Sequence, residues 1–480
     1  MYRNDSLYFL LNGQYTSALY LTQGVKQGNF LIKKSFYYII DFTGCNLSPL
    51  LFSLFIGDMG PTLNQTGHGI DIMDVNISCL LFADDLVVVG KSEGHLRTLV
   101  SLVLDYFTRH HLKISVNKSK VMTYKPTSGR MSFSGPVGAL PILLEQVMNF
   151  KYLGVPLSCP AQGLFRSFNS NVVKKSETYM RTVLSLVKSG PDRSSLAYTL
   201  WTRMALPAIL YGTEILPLTQ STINAIERCQ SSVGKFILQL PRNSTNVVAN
   251  LDAGLQPIWS VIAEKFLTYS VKTMHQPSTY WPKLAFEENL KLGVKSAYTK
   301  ALLKYRTTTG CIGLPISQVK KKLFSLAIQA VKKERTKYSV SSFSMSCPSS
   351  FSQWFRPKPW VNDSALCKIF AQYRACNASL GNRGYTRDGR QSKLCILCER
   401  MNIVALNNEC HMLIDCPAME PYRLTCGIGP FIAVYKGLQP SISSPKLMSL
   451  YLSDSPGTNI KRKCLALYYM QKGWETLMNI

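Results

Sequence analysis

Two apolar runs, Cys79 to Phe82 and Leu86 to Val89, flank one polar break in "CLLFADDLVVVG". Short β-branched and aliphatic runs joined by a tight polar turn predict a β-hairpin with Asp84 and Asp85 at its tip. Turn signals such as "NGQ" at Asn12 and "SGP" at Ser134 punctuate the same region, so residues 1–165 read as a strand-rich α+β segment. The period then changes. From about 170 to 275 it is helical: Ile223, Ile226, Val233, Ile237 and Leu240 fall on one face before Pro241 stops the run. Residues 276–385 mix helices with basic and Ser-rich connectors, among them "QVKKKLFSLAIQAVKKERTKYS" and "SVSSFSMSCPSSFS". In the first, Val319, Leu323, Leu326 and Ala330 predict an apolar stripe, with Lys320 to Lys322, Lys332, Lys333 and Arg335 around the rest. Such a face is either an ordinary solvated one or one that contacts phosphate. No internal repeat stands out.

With 480 residues the chain has room for two or three domains with real cores. Charge narrows the class further. The formal net charge is +27, from 54 Lys and Arg against 27 Asp and Glu, in a chain with only 17% charged residues. That excess implies a polyanionic partner and suits nucleic acid better than a small acidic substrate. A basic membrane-surface protein is the competing class, and it finds no support: no apolar run approaches ~18 residues. The start "MYRNDSLYFLLNGQ" has neither a basic leader nor a cleavable apolar core, so a nuclear or cytoplasmic location is expected over secretion. Fourteen cysteines then point to a reducing compartment, where clustered thiols bind metal more often than they form disulfides.

Two chemical clusters stand out. Adjacent carboxylates such as Asp84 and Asp85 repel unless a cation lies between them, and a divalent metal carrying phosphate ligands is one solution. A purely structural turn is the other reading, because Asp side chains bond the local backbone. The second cluster is "CILCERMNIVALNNECHMLIDCP", which sets Cys395, Cys398, His411 and Cys416 in the pattern Cys-x2-Cys-x12-His-x4-Cys. Three thiolates and an imidazole make a tetrahedral Zn2+ set with no open position, which favours folding and binding over hydrolysis. Unliganded buried cysteines are the plain alternative, and Cys410 and Cys426 are spare thiols that could replace a ligand. His411 and Cys416 are five apart and diverge by roughly 140° on a regular helix, so the helix is expected to break there, with Pro417 supplying the break.

Taken together, these pieces resemble the reverse transcriptase of a non-LTR (LINE-type) retrotransposon. The likeness is carried by "TQGVKQG" at 22–28, "CNLSPLLFSLFI" at 45–56, "FADDLVVVG" at 82–90, "LKISVNKSKVM" at 112–122, "FKYLGVPLS" at 150–158 and the cysteine cluster. The resemblance implies an α+β fold: a partial palm over 1–165, a helical thumb over 166–275, a basic helical connector over 276–385, a CCHC zinc knuckle over 386–430 and a tail over 431–480. Its implied chemistry is RNA-directed DNA synthesis with Mg2+ or Mn2+, on an RNA template and a DNA primer. Asp84 would ligate metal, with Asp85 supporting it, and Lys118 would protonate the leaving pyrophosphate unless it is simply a salt-bridging surface lysine. Gly24 and Gln27 fall where the family touches template and nucleotide; Phe150, Tyr152, Leu153 and Gly154 match its primer-grip hairpin.

Two departures qualify the resemblance. The family's remaining metal aspartate lies on a strand well upstream of the "QGVKQG"-type loop, and here some twenty residues precede that loop, with Asp5 poorly placed to substitute. The chain is thus expected to be N-terminally truncated and to have little or no polymerase activity alone. In addition, "NFLIKKSFYYIIDFTG", residues 29–44, separates two motifs that the family runs together, and its Phe, Tyr, Ile, Lys and Asn content reads as translated intron. Asp41 within it is a remote candidate for the lost ligand. The alternative functions are a non-catalytic, zinc-dependent RNA- or DNA-binding remnant, and a decayed reading frame. An intact element-encoded copy would be a further partner of either.

Overall fold

The computed structural model describes residues 48–124, 126, 129–135, 141–187, 193–335, 364–374, 394–405, 408–452 and 459–478, with short strands between Ser6 and Tyr38. Asp5, Gly24, Gln27, Asp41 and the Ser-rich stretch 339–352 lie outside the described residues. Two compact units form: residues 1–150, 159–161 and 278–288 in one, and 151–158, 162–277 and 289–480 in the other.

In the first unit, three two-residue ladders come first: β1 (Ser6–Leu7) with β4 (Leu19–Tyr20), β2 (Leu10–Leu11) with β3 (Gln14–Tyr15), and β5 (Lys33–Lys34) with β6 (Tyr37–Tyr38). Helices α1 (Ser48–Phe55) and α2 (Met59–Asn64) follow, then the hairpins β7 (Ile70–Ile72)–β8 (Val75–Ile77) and β9 (Cys79–Phe82)–β10 (Asp85–Val88). Helix α3 (Glu93–Arg109) starts where the Ser92 hydroxyl accepts from the His95 amide, with Glu93 in its first turn and Arg109 in its last, as the helix dipole favours. It is apolar on two sides. Leu99, Val103 and Tyr106 pack with Met59, Leu63 and Cys79, while Leu104 packs with Val121, Met131, Phe133 and Leu144. The second group lies on a small sheet in which β13 (Ile142–Gln146) is central, parallel to β11 (Lys120–Val121) and antiparallel to β12 (Arg130–Phe133). Strand β12 alternates exposed Arg130 and Ser132 with buried Met131 and Phe133, the period of a half-buried strand.

The second unit is mostly helical and holds one large core that runs from Phe168 to Trp474. It contains α4 (Arg166–Leu186), α5 (Arg193–Thr199), α6 (Leu206–Ile209), α7 (Gln220–Ile237), α8 (Asn246–Asp252), α9 (Ile258–Met274), α11 (Ala297–Thr309), α12 (Ile316–Arg335) and α13 (Ser364–Arg374), with α10 (Trp281–Leu292) between α9 and α11 in sequence. All five residues of the expected α7 face are buried, although the helix ends at Ile237 and Leu240 enters the core from the following loop. A Cβ on Gly234 would lie 3.2 Å from the Ala249 carbonyl oxygen, so glycine permits the close approach of α8 to α7. Helix α12 corrects its expected stripe. Val319, Leu323, Ala327 and Ile328 are buried, Leu326 is half-buried and Ala330 is exposed. The inward line therefore runs at four-residue steps, where small Ala327 suits close packing better than a leucine. Among the described residues no helix is long and apolar enough to cross a membrane.

One polar contact ties distant parts of this core together. Arg374 and Asp252 are both buried and pair bidentately, Nε to Oδ2 at 2.7 Å and Nη2 to Oδ1 at 2.8 Å, while Nη1 donates to the Leu452 carbonyl. A lone buried charge is costly, and this geometry satisfies both ions.

Candidate functional site

The acidic pair sits where the sequence placed it. Phe82 pairs with Asp85 across β9 and β10, leaving Ala83 and Asp84 as a two-residue turn, with Ala83 at φ 50°. A non-glycine residue there costs roughly 1 kcal/mol or more, strain that the paired strands hold in place. Cys79 faces the core, whereas Leu80 and Phe82 point outward at 39% and 62% exposure. Both carboxylates are exposed, and neither forms an ion pair among the described residues. No third carboxylate, histidine or cysteine joins them: among the described residues the one group of three or more potential metal ligands lies elsewhere. Lys118 is also exposed, in the turn before β11, where its amide donates to Ser115. Among the described residues Lys118 forms no hydrogen bond or ion pair with Asp84 or Asp85.

Behind the acidic hairpin, Asp58 accepts a hydrogen bond of 2.5 Å from the Tyr106 hydroxyl. That bond holds the Asp58 carboxyl below its usual range, and burial together with Asp58 pushes the Tyr106 hydroxyl up to about 12. His110 stacks on the Tyr106 ring with centroids 3.9 Å apart. Sequence reading passed over this pair, because 48 positions separate its members and neither stands in a motif.

Strands β14 (Asn149–Tyr152) and β15 (Val155–Ser158) form the hairpin that carries Phe150, Tyr152, Leu153 and Gly154. Its turn residues Leu153 and Gly154 both have positive φ, 46° and 82°. This is the twist a two-residue hairpin requires, met here with leucine where asparagine is usual. The Tyr211 hydroxyl donates to the Leu153 carbonyl at 3.2 Å and supports that turn. Phe150 and Tyr152 are half-buried.

The thiol cluster is assembled completely. Cys395, Cys398, His411 and Cys416 are buried and offer ligand atoms that all lie within 4.8 Å of one another. Cys398 Sγ stands 3.2 Å from His411 Nε2 and 3.7 Å from Cys416 Sγ, and Cys395 Sγ stands 4.0 Å from Cys416 Sγ. A tetrahedron with metal–sulfur bonds of about 2.3 Å has edges near 3.8 Å, so the donor set fits a tetrahedral ion. Cys395 opens the one-turn helix α14 (Ile396–Glu399), its amide bonded to Ala405, and the amides of Met401 and Ile403 turn back onto the Cys398 carbonyl. Burial pushes the Cys398 thiol up to about 12, raises Cys416 and lowers the His411 imidazole. A cation opposes the shifts of the two thiols, because it binds their deprotonated forms, and the lowered imidazole already favours the neutral ligand form.

The expected helix break takes a different form. His411 to Asp415 make a π-type turn in which the Cys416 amide bonds the His411 carbonyl at 2.7 Å, five residues back. The wider turn returns Cys416 beneath His411, and Cys416 is extended before Pro417. Buried Arg423 braces the site by donating to the Cys416 and Met412 carbonyls and to Glu420. The spare thiols Cys410 and Cys426 stay outside the ligand group.

Comparison with known proteins now gives this geometry a context. Residues 7–157 match the family model for reverse transcriptase (RNA-dependent DNA polymerase). The chain is also similar to two proteins of Popillia japonica, each described as a retrovirus-related Pol polyprotein from type-1 retrotransposable element R2. One is 24% identical over 239 residues, covering 48% of this chain and 35% of the relative; the other is 22% identical over 241 residues, covering 49% and 30%. The chain is thus similar to reverse transcriptase over residues 7–157. It spans about a third of the length of the curated relatives it matches. The acidic hairpin and the Phe150–Gly154 turn both fall inside the matched reverse-transcriptase segment, whereas the Cys3His cluster lies beyond it.

Proposed function

We propose that this chain carries the RNA-directed DNA polymerase domain of a non-LTR retrotransposon, with Asp84 and Asp85 as its metal-facing carboxylates. The observation that carries this reading is the exposed acidic turn of β9–β10 inside the family-matched segment. Bound Mg2+ or Mn2+ would activate the primer 3′ hydroxyl and neutralise the leaving pyrophosphate. The protein's own part is positioning. The β9–β10 pairing holds both carboxylates at one hairpin tip, and exposed Lys118 is the nearest family-matched proton donor in sequence; the β14–β15 turn is assigned to the primer by the motif alone. Gly24 and Gln27 are assigned to template and nucleotide by the motif alone.

Two exposed carboxylates without a third among the described residues support weak or absent extension by the chain alone. Losing one metal-bridging carboxylate costs several kcal/mol of transition-state stabilisation, each 1.36 being tenfold in rate. The test is primer extension on an RNA template with Mg2+ or Mn2+, beside Asp84→Ala. Extension lost in that variant supports the assignment; extension that survives it removes Asp84 from the site.

A second reading rests on the completed Cys3His cluster: a zinc-dependent RNA- or DNA-binding activity that needs no chemistry. Here the thumb-like helices, basic connector and zinc knuckle would act by phosphate contact and stacking. Binding that survives Asp84→Ala and falls in the Cys395→Ser, Cys398→Ser double variant would favour it.

A further inference from the structure

We propose that helices α11 and α12 form a nucleic-acid backbone dock separate from the acidic hairpin, with Lys300, Lys304 and Lys321 each contacting a phosphate. The proposal rests on the nucleic-acid reading above and adds where, and with which groups, the polyanion is held.

The charge balance locates the surface. Residues 291–335 contain eleven Lys and Arg against a single acidic residue, Glu334. Structure then separates the lysines already engaged from those that are free. Lys320 pairs with Glu264 at 3.4 Å, and the Lys322 ammonium donates to the Gly310 carbonyl at 2.9 Å, closing the end of α11 where Gly310 turns left-handed. Lys300, Lys304 and Lys321 are exposed and have no acidic partner among the described residues. Lys300 and Lys304 stand one helical turn apart, about 6 Å along the axis. Two ammonium groups at that spacing repel each other unless an anion lies beside them.

Chemistry favours nucleic acid over a lipid surface. A membrane-binding amphipathic helix must offer its apolar face to the acyl region. Here that face is used internally: Leu302 of α11 and Val319, Leu323 and Ala327 of α12 are buried, and α9, α11 and α12 pack on one another. What remains outward on α11 and α12 is mainly charged and polar, with Leu303 the one large apolar side chain exposed on α11, a surface suited to a phosphate backbone and indifferent to base sequence.

The test is the salt dependence of binding by the full chain to a 30-base-pair DNA duplex, without nucleotides or divalent ions. The variant is Lys300→Gln, Lys304→Gln, Lys321→Gln, compared with wild type from 50 to 200 mM salt. Three lost phosphate contacts flatten the slope of log K against log salt by up to about 2.7. Each single substitution flattens it by about 0.9, and Lys436→Gln, at an exposed position of helix α15 (Ile428–Leu438), leaves it unchanged. The single variants keep the test decisive if the triple variant folds poorly, and unchanged melting and zinc content certify each protein.

A wild-type slope in the single variants overturns the proposal, as does wild type that binds no duplex. Loss of binding to phosphatidylserine vesicles with an unchanged DNA slope overturns it in favour of a membrane surface. A lysine-dependent slope in a chain whose primer extension survives Asp84→Ala leaves this dock standing while the Asp84 assignment falls.

Discussion

The acidic hairpin and the Cys3His cluster are both built from motifs a few residues long, yet they differ in what the fold has done with them. Asp84 stands exposed in the two-residue turn and Asp85 at the first position of β10, and among the described residues neither carboxylate has an ion-pair partner. Cys395, Cys398, His411 and Cys416 are buried, closed on one another and braced by Arg423. Burial explains the contrast. Thiols and an imidazole lose little by leaving water and gain a metal, so a cluster of them serves as part of a core. On the proposed reading, Asp84 and Asp85 would meet a solvated metal and a phosphate substrate, and their exposure leaves the stability of the fold to the strands that carry them. The thiol cluster is a component of folding; the acidic pair is a load the fold carries.

The largest effect that tests this contrast is loss of the metal. The Cys395→Ser, Cys398→Ser double variant is expected to bind no zinc and to lose its cooperative melting transition, since Cys395, Cys398 and Cys416 share one core with the helices from Phe168 onward. Structural zinc contributes about 10–16 kcal/mol of apparent binding free energy in small domains. Metal analysis and thermal melting read the outcome, and a metal-free variant that melts like wild type would break the comparison. Zinc loading should also weaken on acidification, because raised thiols and an imidazole must all be free of protons to ligate.

Next in size is Arg374→Met. It strands Asp252 as a buried, unpaired carboxylate and should destabilise the chain by about 3–5 kcal/mol in chemical denaturation. Adding Asp252→Leu should recover much of that loss. A double variant no better than the single would mean that the Leu452 contact, not the ion pair, carries the cost.

How far each region could be read from sequence follows from the distance over which its parts communicate. The acidic hairpin, the α7 face and the Cys3His cluster lie within runs of some twenty residues, so spacing alone brought out each of them. The π turn was not legible, since the pattern shows that a regular helix fails between His411 and Cys416 without showing how. The stripe on α12 shifted by one residue because which face packs is set by α8 and α9, not by α12 itself. Arg374 with Asp252, and Asp58 with Tyr106, join positions 122 and 48 residues apart, and a single chain gives no signal that links them. Gly24 and Gln27 lie outside the described residues, so their assignments rest on motif alone, and Asp41, also outside them, stays a remote sequence candidate.

A smaller effect should come from Tyr106→Phe, and it is visible through pH. The Tyr106 hydroxyl is raised from 10 to about 12 in the folded chain, so its contribution is fully present below pH 10 and is lost as pH rises to about 12. At neutral pH the variant should lose on the order of 1 kcal/mol with the Asp58 bond, and its stability should fall less than that of wild type between pH 10 and 12. Asp58 is held low, so its contribution fades only in acid, below its ordinary value of 3.8. Parallel curves for the two proteins from pH 10 to 12 would show that other tyrosines dominate that window.

The smallest structural effect is expected from Asp84→Ala, and its smallness is informative. An exposed residue with no ion pair in the turn should change unfolding free energy by no more than about 0.5 kcal/mol in either direction. Ala83 already carries the positive φ of the turn, so alanine at 84 adds no second strained position. If the melting midpoint holds while metal-dependent nucleotide addition or Mn2+ binding disappears, the carboxylate serves chemistry alone. A loss of more than about 1 kcal/mol would instead make Asp84 a turn-stabilising residue that bonds the local backbone. The hairpin would then resemble the thiol cluster, as a structural device whose acidic side chains hold up the fold.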